Sequence, residues 1–154
     1  MCELMPSTEP DHPSVVSQSL IHVAAGVIYH NNYANQILIA KRPQHLHQGG
    51  LWEFPGGKVN PGESTYQALQ RELLEELAIQ VTAAQPLMQV RHQYTDKQVL
   101  LDIWTVTAFN GQGIGMEGQE CRWVELKELV SASSEYQFPQ ANKPILEKLR
   151  SQKH

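Results

Sequence analysis

The stretch Gly57–Ile79, GKVNPGESTYQALQRELLEELAI, joins a glycine turn to a helix rich in carboxylates. Ser64, followed three residues later by Gln67, forms a capping-box pattern. We therefore expect a helix that begins at Thr65 and ends near Leu77. On a helical wheel its large apolar residues form one stripe that we expect to be buried. These are Tyr66, Leu69, Leu73, Leu74 and Leu77.

Three glutamates of this helix, Glu72, Glu75 and Glu76, share one arc of about 100° on the same wheel. Ala68 is the only apolar residue in that arc, so we expect the arc to face away from the core. Like charges three or four residues apart cost a helix roughly 0.2–0.5 kcal/mol per pair, which is too little to prove a metal site. The arc is either a solvated acidic face, with Arg71 pairing with Glu75, or a set of ligands.

The spacing of the whole stretch separates these alternatives. Counted from Gly57, five residues precede Glu63, and seven more precede the run RELLEELAI at 71–79. This spacing resembles the box of the Nudix hydrolases, G-x5-E-x7-R-E-apolar-x-E-E-x-G-apolar. Ala78 departs from it, because the family usually has glycine at this left-handed helix end, a conformation that costs alanine roughly 1 kcal/mol. We expect this departure to affect stability more than chemistry.

Composition restricts the classes of protein to consider. A chain of 154 residues with 41% apolar content is long enough for one domain, which we place at 19–152 after a flexible tail at 1–18. A net charge of −4 without a basic run argues against a duplex nucleic-acid partner. Cys2 and Cys121 lack metal-type spacing. No apolar run reaches ~18 residues and no secretory segment is recognisable, so we expect a cytosolic protein without membrane contact.

The remaining segments predict a sheet. The β-prone runs 20–29 and 36–40 are expected to form a hairpin, and 79–94 contains strand-like stretches broken by Pro86. The strongest strand pattern is 99–109, in which Asp102 is either a bulge or exposed-face residue or a pocket carboxylate. CRWVEL at 121–126 predicts a strand leading into a short helix, and a final amphipathic helix follows Asn142. Together with the resemblance, these segments imply an α/β fold, a Nudix-type α/β/α sandwich with a mixed β-sheet.

Several residues outside the helix are candidates for substrate binding. Arg42 and His47 lie in the polar loop KRPQHLHQGG, where they either are solvated or contact a sugar or phosphate. Gly56 and Gly57 after Pro55 form a turn, either for structure alone or to let the backbone approach a phosphate or metal. Lys58 beside it is a possible phosphate counter-charge.

The resemblance narrows to the MutT subgroup at three further segments. LWEFPGGK at 51–58 is similar to the segment before the box in that subgroup, which implies that Phe54 flanks a nucleobase pocket. The E-G-Q context of Glu117 implies a metal ligand, although a solvated loop residue is the simpler interpretation. FPQAN at 138–142 implies that Asn142 recognises an oxidised guanine. The alternative role for Asn142 is that of a helix N-cap.

The implied chemistry is Mg²⁺-dependent, with Mn²⁺ as a substitute, because carboxylates suit a hard cation better than histidines do. The metal-site residues are Gly57, Glu72, Glu75, Glu76 and Glu117. Glu72 or Glu117 acts as the general base, Arg71 orients the glutamates, and Glu63 supports the box.

The resemblance implies a small-molecule nucleotide as partner: a nucleoside triphosphate converted to its monophosphate and pyrophosphate, with 8-oxo-dGTP expected. CTP or another modified nucleotide is the alternative substrate. A nucleotide-binding regulator without turnover is an alternative of another class, disfavoured by the complete set of box residues, and a purely structural acidic-helix domain is the third. The sequence does not determine the oligomeric state; we favour a monomer.

Overall fold

The computed structural model describes residues 19–46 and 49–152. The expected tail at 1–18 lies outside these ranges. None of the helices within them is long and apolar enough to cross a bilayer. The elements follow one another as β1 (Ser19–Ile28), β2 (Gln36–Lys41), β3 (Trp52–Glu53), β4 (Gly56–Lys58), α1 (Thr65–Leu77), β5 (Gln80–Gln93), β6 (Lys97–Asn110), β7 (Cys121–Glu125), α2 (Leu126–Leu129), a 3₁₀ turn (Gln140–Asn142) and α3 (Lys143–Ser151).

A mixed four-stranded sheet with the order β4-β1-β6-β5 forms the centre of the fold. β1 and β6 are parallel, from Ser19 opposite Lys97 to Ile28 opposite Val106, whereas β4 and β5 pair antiparallel with their neighbours. The second half of β1 is buried on both faces, with Ala24 and Val27 fully inaccessible. Such a continuous apolar run is typical of a central strand. The expected mixed sheet is confirmed.

β2 belongs to a second, three-stranded sheet with the order β3-β2-β7. The expected hairpin of 20–29 with 36–40 is therefore wrong. The two segments meet at an isolated bridge between Tyr29 and Ile37. β6 pairs with β1 along its whole length, β4 pairs with it at residues 23–25, and β2 pairs with β3 and β7 instead.

The edge strand β5 runs through Pro86 without ending there. Register shifts at Ala83 and around Pro86 absorb the irregularity in its pairing with β6. Proline is tolerated because an edge strand leaves one row of its backbone N–H groups unpaired. The expected break is thus a local irregularity in one long strand, and the strongest predicted strand, 99–109, is confirmed within β6.

α1 has the predicted bounds and the predicted capping box. Ser64 Oγ accepts a hydrogen bond from Gln67 N at 3.1 Å, and Gln67 Oε1 accepts one from Ser64 N at 2.9 Å. Its leucines at 69, 73 and 77 are fully buried against the central sheet, but Leu74 is 56% exposed and does not belong to the stripe.

The opposite face of the sheet is covered by α2 and α3. Leu126, Leu129, Ile145 and Leu149 pack there with residues of β1, β2 and β6. Helices therefore lie on both sides of the β-structure, and the expected α/β/α sandwich is confirmed.

Candidate active site

The acidic side of α1 is only partly directed to solvent. The Glu72 side chain is 15% exposed, Glu76 is half-buried, and Ala68 on the same side is fully buried. The expectation that the acidic arc faces away from the core is therefore wrong for Glu72 and Glu76, and it is correct for Glu75, whose side chain is 58% exposed. A prediction from the leucine stripe alone underestimates how much of α1 is buried. β4 and the loop at 111–119 also cover the helix from the sides.

Three other carboxylates act on Glu76 at this side of α1. Burial, a hydrogen bond with Glu72 and the charges of Glu72, Glu117 and Glu53 together raise the pKa of Glu76 to about 9. A carboxyl group keeps its proton in this way when it is desolvated among other negative charges. We refer to Glu53, Glu72, Glu76 and Glu117 as the carboxylate cluster.

Gly57 provides the space that the cluster occupies. A Cβ atom added at position 57 would lie 2.2 Å from Glu72 Cδ, and one added at Gly56 would lie 2.1 Å from the carbonyl oxygen of Ala24. Both glycines belong to strand β4 rather than to the turn we expected. Neither has a positive φ. The need for close approach, and not a special backbone conformation, therefore explains the two glycines.

Arg71 fixes Glu72 from the other side. Its Nε and Nη2 atoms donate to the two carboxylate oxygens of Glu63 at 2.7 and 2.9 Å, Nη1 donates to Glu72 Oε2 at 2.9 Å, and Nη2 also donates to the carbonyl of Lys58 at 2.9 Å. These bonds raise the pKa of Arg71, and they lower that of Glu63 to about 2. The expected partner Glu75 is farther away, with Oε1 at 3.5 Å from Nη1.

A cavity of about 260 Å³ opens on the face of the central sheet opposite α1. Four of the residues predicted to bind substrate line it together, namely Arg42, Phe54, Lys58 and Asn142. The fifth, His47, lies outside the described residues. Apolar residues of β1 and β6 form its floor, so the cavity combines an apolar surface with a few polar groups, as small-molecule sites do.

Asn142 occupies the position before α3 but does not cap it. Its backbone is helical, with φ −89° and ψ −7°, and its side chain makes no capping hydrogen bond. The N-cap interpretation is therefore wrong, because a capping residue has extended dihedral angles and accepts a bond from the helix. Asn142 is instead one of the residues that line the cavity. Phe54 packs against Phe138 there, with ring centroids 5.1 Å apart.

Glu53 connects the cavity with the carboxylate cluster, and the sequence interpretation missed it. Glu53 lines the cavity, accepts a hydrogen bond from Arg42 Nη1 at 2.8 Å, and contributes to the raised pKa of Glu76. Burial raises the pKa of Glu53 itself, and Arg42 partly offsets the effect. Its place in LWEFPGGK, directly before the predicted pocket aromatic Phe54, was the available signal.

The glycine-rich loop at 111–119 brings Glu117 to the cluster. It closes over the C-terminal end of α1, where Ile114 N donates to Leu77 O at 3.0 Å and Met116 N donates to Glu76 O at 2.8 Å. Gly111, with φ +108°, allows the approach, since a Cβ there would lie 2.2 Å from the carbonyl oxygen of Ala78. Carbonyl groups at a helix end need such partners from outside the helix.

The donors of the cluster fit a hard divalent cation, since all are carboxylate oxygens. Gly57 lets the Glu72 carboxylate approach β4 closely, and the charges of Glu72 and Glu117 act on Glu76, so a positive charge is favoured at this place. Within 19–46 and 49–152, no three His, Cys, Asp or Glu side chains already surround a single cation position. Mg²⁺ does not require such a cage, because it retains several waters and is held in part by substrate phosphates.

Two other features lie apart from the cluster. An open groove of about 720 Å³ on the outer side of α1 is bordered by Glu63, Arg71 and Glu75 but not by members of the cluster. Asp102, left open above, does not line the 260 Å³ cavity. It pairs with His22 across the strands and accepts a hydrogen bond from Gln89 Nε2 at 2.7 Å. We assign neither feature to the candidate active site.

Comparisons with known families and proteins agree with the resemblance found in the sequence. A family model described as NUDIX domain matches residues 24–148. The chain is similar to the 8-oxo-dGTP diphosphatase of Proteus vulgaris, with 40% identity over 108 residues that cover 70% of this chain and 94% of the relative. It is also similar to the CTP pyrophosphohydrolase of Escherichia coli K12, with 37% identity over 83% of this chain and 90% of the relative.

A solved structure gives the same indication. The fold is similar to that of MutT from work on the Aliivibrio salmonicida and Vibrio cholerae proteins, with a TM-score of 0.72 and 42% identity. The similarity covers 84% of this chain and 96% of that one.

Proposed function

Because the chain belongs to the Nudix family of hydrolases, which act on phosphorus anhydrides, we propose that it is a Mg²⁺-dependent nucleoside triphosphate diphosphatase. It converts the triphosphate to the monophosphate and pyrophosphate. Its preferred substrate is 8-oxo-dGTP, and its role is to remove this mutagenic nucleotide from the cytosolic pool. The similarity to 8-oxo-dGTP diphosphatases and to MutT supports this choice of substrate.

One observation carries the proposal: Glu53 belongs both to the lining of the cavity and to the carboxylate cluster. Glu53 borders the cavity and acts on Glu76, and Lys58 lines the same cavity while its carbonyl binds Arg71. A nucleotide whose base occupies the cavity therefore has its phosphates at the cluster. A carboxylate-rich site next to a base-sized cavity requires a cation before it can accept a triphosphate.

Glu72, Glu76 and Glu117, with Glu75 at the edge and the backbone of Gly57 beside them, are the residues that would hold Mg²⁺ or its substitute Mn²⁺. When bound, the metal neutralises phosphate charge and favours the ionised form of the attacking water. Glu72 or Glu117 accepts the proton of that water. Arg71, bonded to Glu72 and anchored by Glu63, keeps the Glu72 carboxylate in place.

The cavity residues account for binding of the base. Phe54 contributes an aromatic side chain to the wall of the cavity, and the amide of Asn142, another lining residue, can offer both a donor and an acceptor to the edge of a base. 8-Oxoguanine differs from guanine by an N–H donor at N7 and an oxygen at C8. A site built to satisfy such groups rejects the base that lacks them. Lys58 and Arg42, with His47 as a further predicted contact, serve the sugar and phosphates.

The test is hydrolysis of 8-oxo-dGTP, dGTP, CTP and ADP-ribose at matched sub-saturating concentrations, with Mg²⁺ or with chelator. Pyrophosphate release reports the triphosphates, and formation of AMP and ribose 5-phosphate reports ADP-ribose. We expect metal-dependent turnover with a strong preference for 8-oxo-dGTP. Glu72→Gln and Glu76→Gln should each lower kcat by at least about 100-fold, since proton transfer and charge stabilisation each contribute factors of that order. Turnover within a few-fold of wild type in both variants would contradict the assignment of the box.

CTP is the second candidate substrate, favoured by the similarity to the CTP pyrophosphohydrolase of Escherichia coli K12. Asn142→Ala separates the two candidates. If the oxidised guanine is the substrate, this variant should lose its preference for 8-oxo-dGTP over dGTP, while its Mg²⁺ dependence stays unchanged. Faster turnover of CTP than of 8-oxo-dGTP by the wild type would replace our substrate assignment. Nucleotide binding without any turnover would favour the non-hydrolysing regulator.

A further inference from the structure

The segment GQGIGMEGQ at 111–119 contains four glycines, and Gly111, Gly113 and Gly118 have positive φ angles. Glycine-rich segments lose much conformational entropy when they are ordered. Specific bonds must therefore hold such a loop in one place. At the tip of this loop Glu117 is exposed, yet its charge acts on Glu76. Like charges oppose that proximity, so a restraint other than the carboxylates themselves has to maintain it.

Gln119 supplies such a restraint with both ends of its amide. Its Nε2 atom donates to the carbonyl oxygen of Glu76 at 3.2 Å, in the last turn of α1. Its Oε1 atom accepts a hydrogen bond from the backbone N of Glu117 at 2.9 Å. One side chain thus joins the backbone of one cluster residue to the backbone of another. Gln119 is half-buried in a loop that is otherwise largely exposed.

The space around Gln119 is equally restricted. A Cβ atom added at Gly115 would lie 2.3 Å from the carbonyl oxygen of Gln119 and 3.1 Å from its Oε1 atom. Gly115 therefore leaves room for the Gln119 amide to fold back against the loop. The bond from Met116 N to Glu76 O, 2.8 Å long, supports the same arrangement from the backbone.

We propose that Gln119 is a positioning residue that holds Glu117 at the carboxylate cluster and thereby sets the affinity of the protein for its divalent cation. This inference rests on the proposed function, because it takes Glu117 as a metal ligand. Both hydrogen bonds of the Gln119 side chain go to backbone atoms, so in this proposal Gln119 is not itself a ligand. It acts through the backbone of Glu117, as residues behind a metal site commonly do, and their loss typically lowers metal affinity 10–100-fold.

The test compares Gln119→Met with the wild type. Methionine has nearly the same length and volume but can neither donate nor accept in this way. Binding of Mn²⁺ to the nucleotide-free protein is measured by electron paramagnetic resonance, and the Mg²⁺ dependence of turnover is measured in parallel. We expect the Mn²⁺ dissociation constant and the half-saturating Mg²⁺ concentration to rise about 10-fold or more. At saturating Mg²⁺, the KM for the nucleotide should stay within about threefold. Gln112→Met, at an exposed position of the same loop, is the matched control and should change neither value.

The double variant Glu117→Gln with Gln119→Met, compared with the two single variants, shows whether Gln119 acts through Glu117. If it does, Glu117→Gln alone weakens Mn²⁺ binding, and adding Gln119→Met causes little further loss, because coupled residues are not additive. Fully additive losses, or unchanged Mn²⁺ affinity in Gln119→Met despite a lowered Tm, would overturn the proposal. Unchanged Mn²⁺ affinity in Glu117→Gln would overturn it as well. None of these three results would affect the substrate assignment, which fails separately if 8-oxo-dGTP is not hydrolysed.

Discussion

At the scale of single residues, Ala78 shows how one departure from the box is accommodated. Its φ of 56° and ψ of 36° lie in the left-handed region, and it is the only non-glycine residue with positive φ in the described ranges. Ala78 N bonds to Leu74 O at 3.1 Å and Ile79 N to Leu73 O at 3.2 Å, which together close the end of α1. The conformation expected from the sequence is confirmed, so alanine here bears a steric strain that glycine avoids.

Ala78→Gly should stabilise the protein. Relief of left-handed strain contributes about 1–2 kcal/mol, and the greater freedom of glycine in the unfolded chain removes about 0.4–1 kcal/mol of it. We expect a net gain of about 0.5–1 kcal/mol, which raises Tm by about 1–4 °C in a chain of this size. Chemical and thermal unfolding of the nucleotide-free protein measure it.

Ala78→Val is the opposing control, because a β-branched side chain tolerates positive φ less well than alanine. It should lower Tm. A Tm for Ala78→Gly at or below that of the wild type would show that the left-handed conformation is not strained. Turnover of the glycine variant should match the wild type, since Ala78 contacts α1 backbone rather than the cluster.

At the scale of elements, the Glu63–Arg71 pair joins α1 to the segment before it. Arg71 bonds Glu63 in the preceding loop, the Lys58 carbonyl in β4 and Glu72 in α1. Glu63 also accepts a bond from Asn60 N at 2.9 Å. The pKa of Glu63, lowered from 4.5 to about 2, reflects this pairing. Because the folded state lowers the pKa, the pair stabilises the protein above pH 4.5, and the stabilisation is lost as the pH falls towards 2.

Glu63→Gln should therefore destabilise the protein at pH 7, and its deficit relative to the wild type should shrink steadily below pH 4.5. Urea unfolding at several pH values between 7 and 3 gives the difference in free energy. Glu75→Gln is the control on the same guanidinium. Its side chain is 58% exposed and 3.5 Å from Arg71, and exposed pairs contribute little. A constant deficit for Glu63→Gln at all pH values would mean that its charge is not what stabilises the link.

The site as a whole shows what the sequence can and cannot supply. The capping box and the bounds of α1 are local properties, and they were predicted because Ser64, Gln67 and Ala78 act on their immediate neighbours. The positions of Glu72 and Glu76 depend on β4 and the loop at 111–119, which approach α1 from distant parts of the chain. A helical wheel contains no information on such neighbours.

The same dependence on distant segments explains the other differences between the predictions and the structure. The prediction of a β1–β2 hairpin failed because β1 pairs along its whole length with β6, which lies far along the chain. Glu53 and Gln119 were missed because they act on Glu76 from distant segments of the chain, Glu53 through its charge and Gln119 through a hydrogen bond. The resemblance supplied Phe54 and Asn142, whose side chains meet at one cavity only after β1, β6 and α3 have assembled.

The assembled cluster makes a prediction for the whole molecule in the absence of metal. The folded protein raises the pKa of Glu76 from 4.5 to about 9, so between these pH values it binds more protons than the unfolded chain. Stability should therefore fall as the pH rises through this range. In Glu76→Gln the amide has no acidic proton to lose, so the stability of this variant in chelator should depend less on pH.

Thermal unfolding in chelator at pH 6, 7.5 and 9 measures the slope of stability against pH. Glu128→Gln, on α2 away from the cluster, should keep the slope of the wild type. If the folded state binds Mg²⁺ as proposed, adding the ion should raise the Tm of the wild type most at high pH, where the cluster is most fully ionised. Glu76→Gln should gain less from the ion. Parallel slopes for wild type and Glu76→Gln would show that Glu76 is not the proton-binding group, and that the fold tolerates its four neighbouring carboxylates by other means.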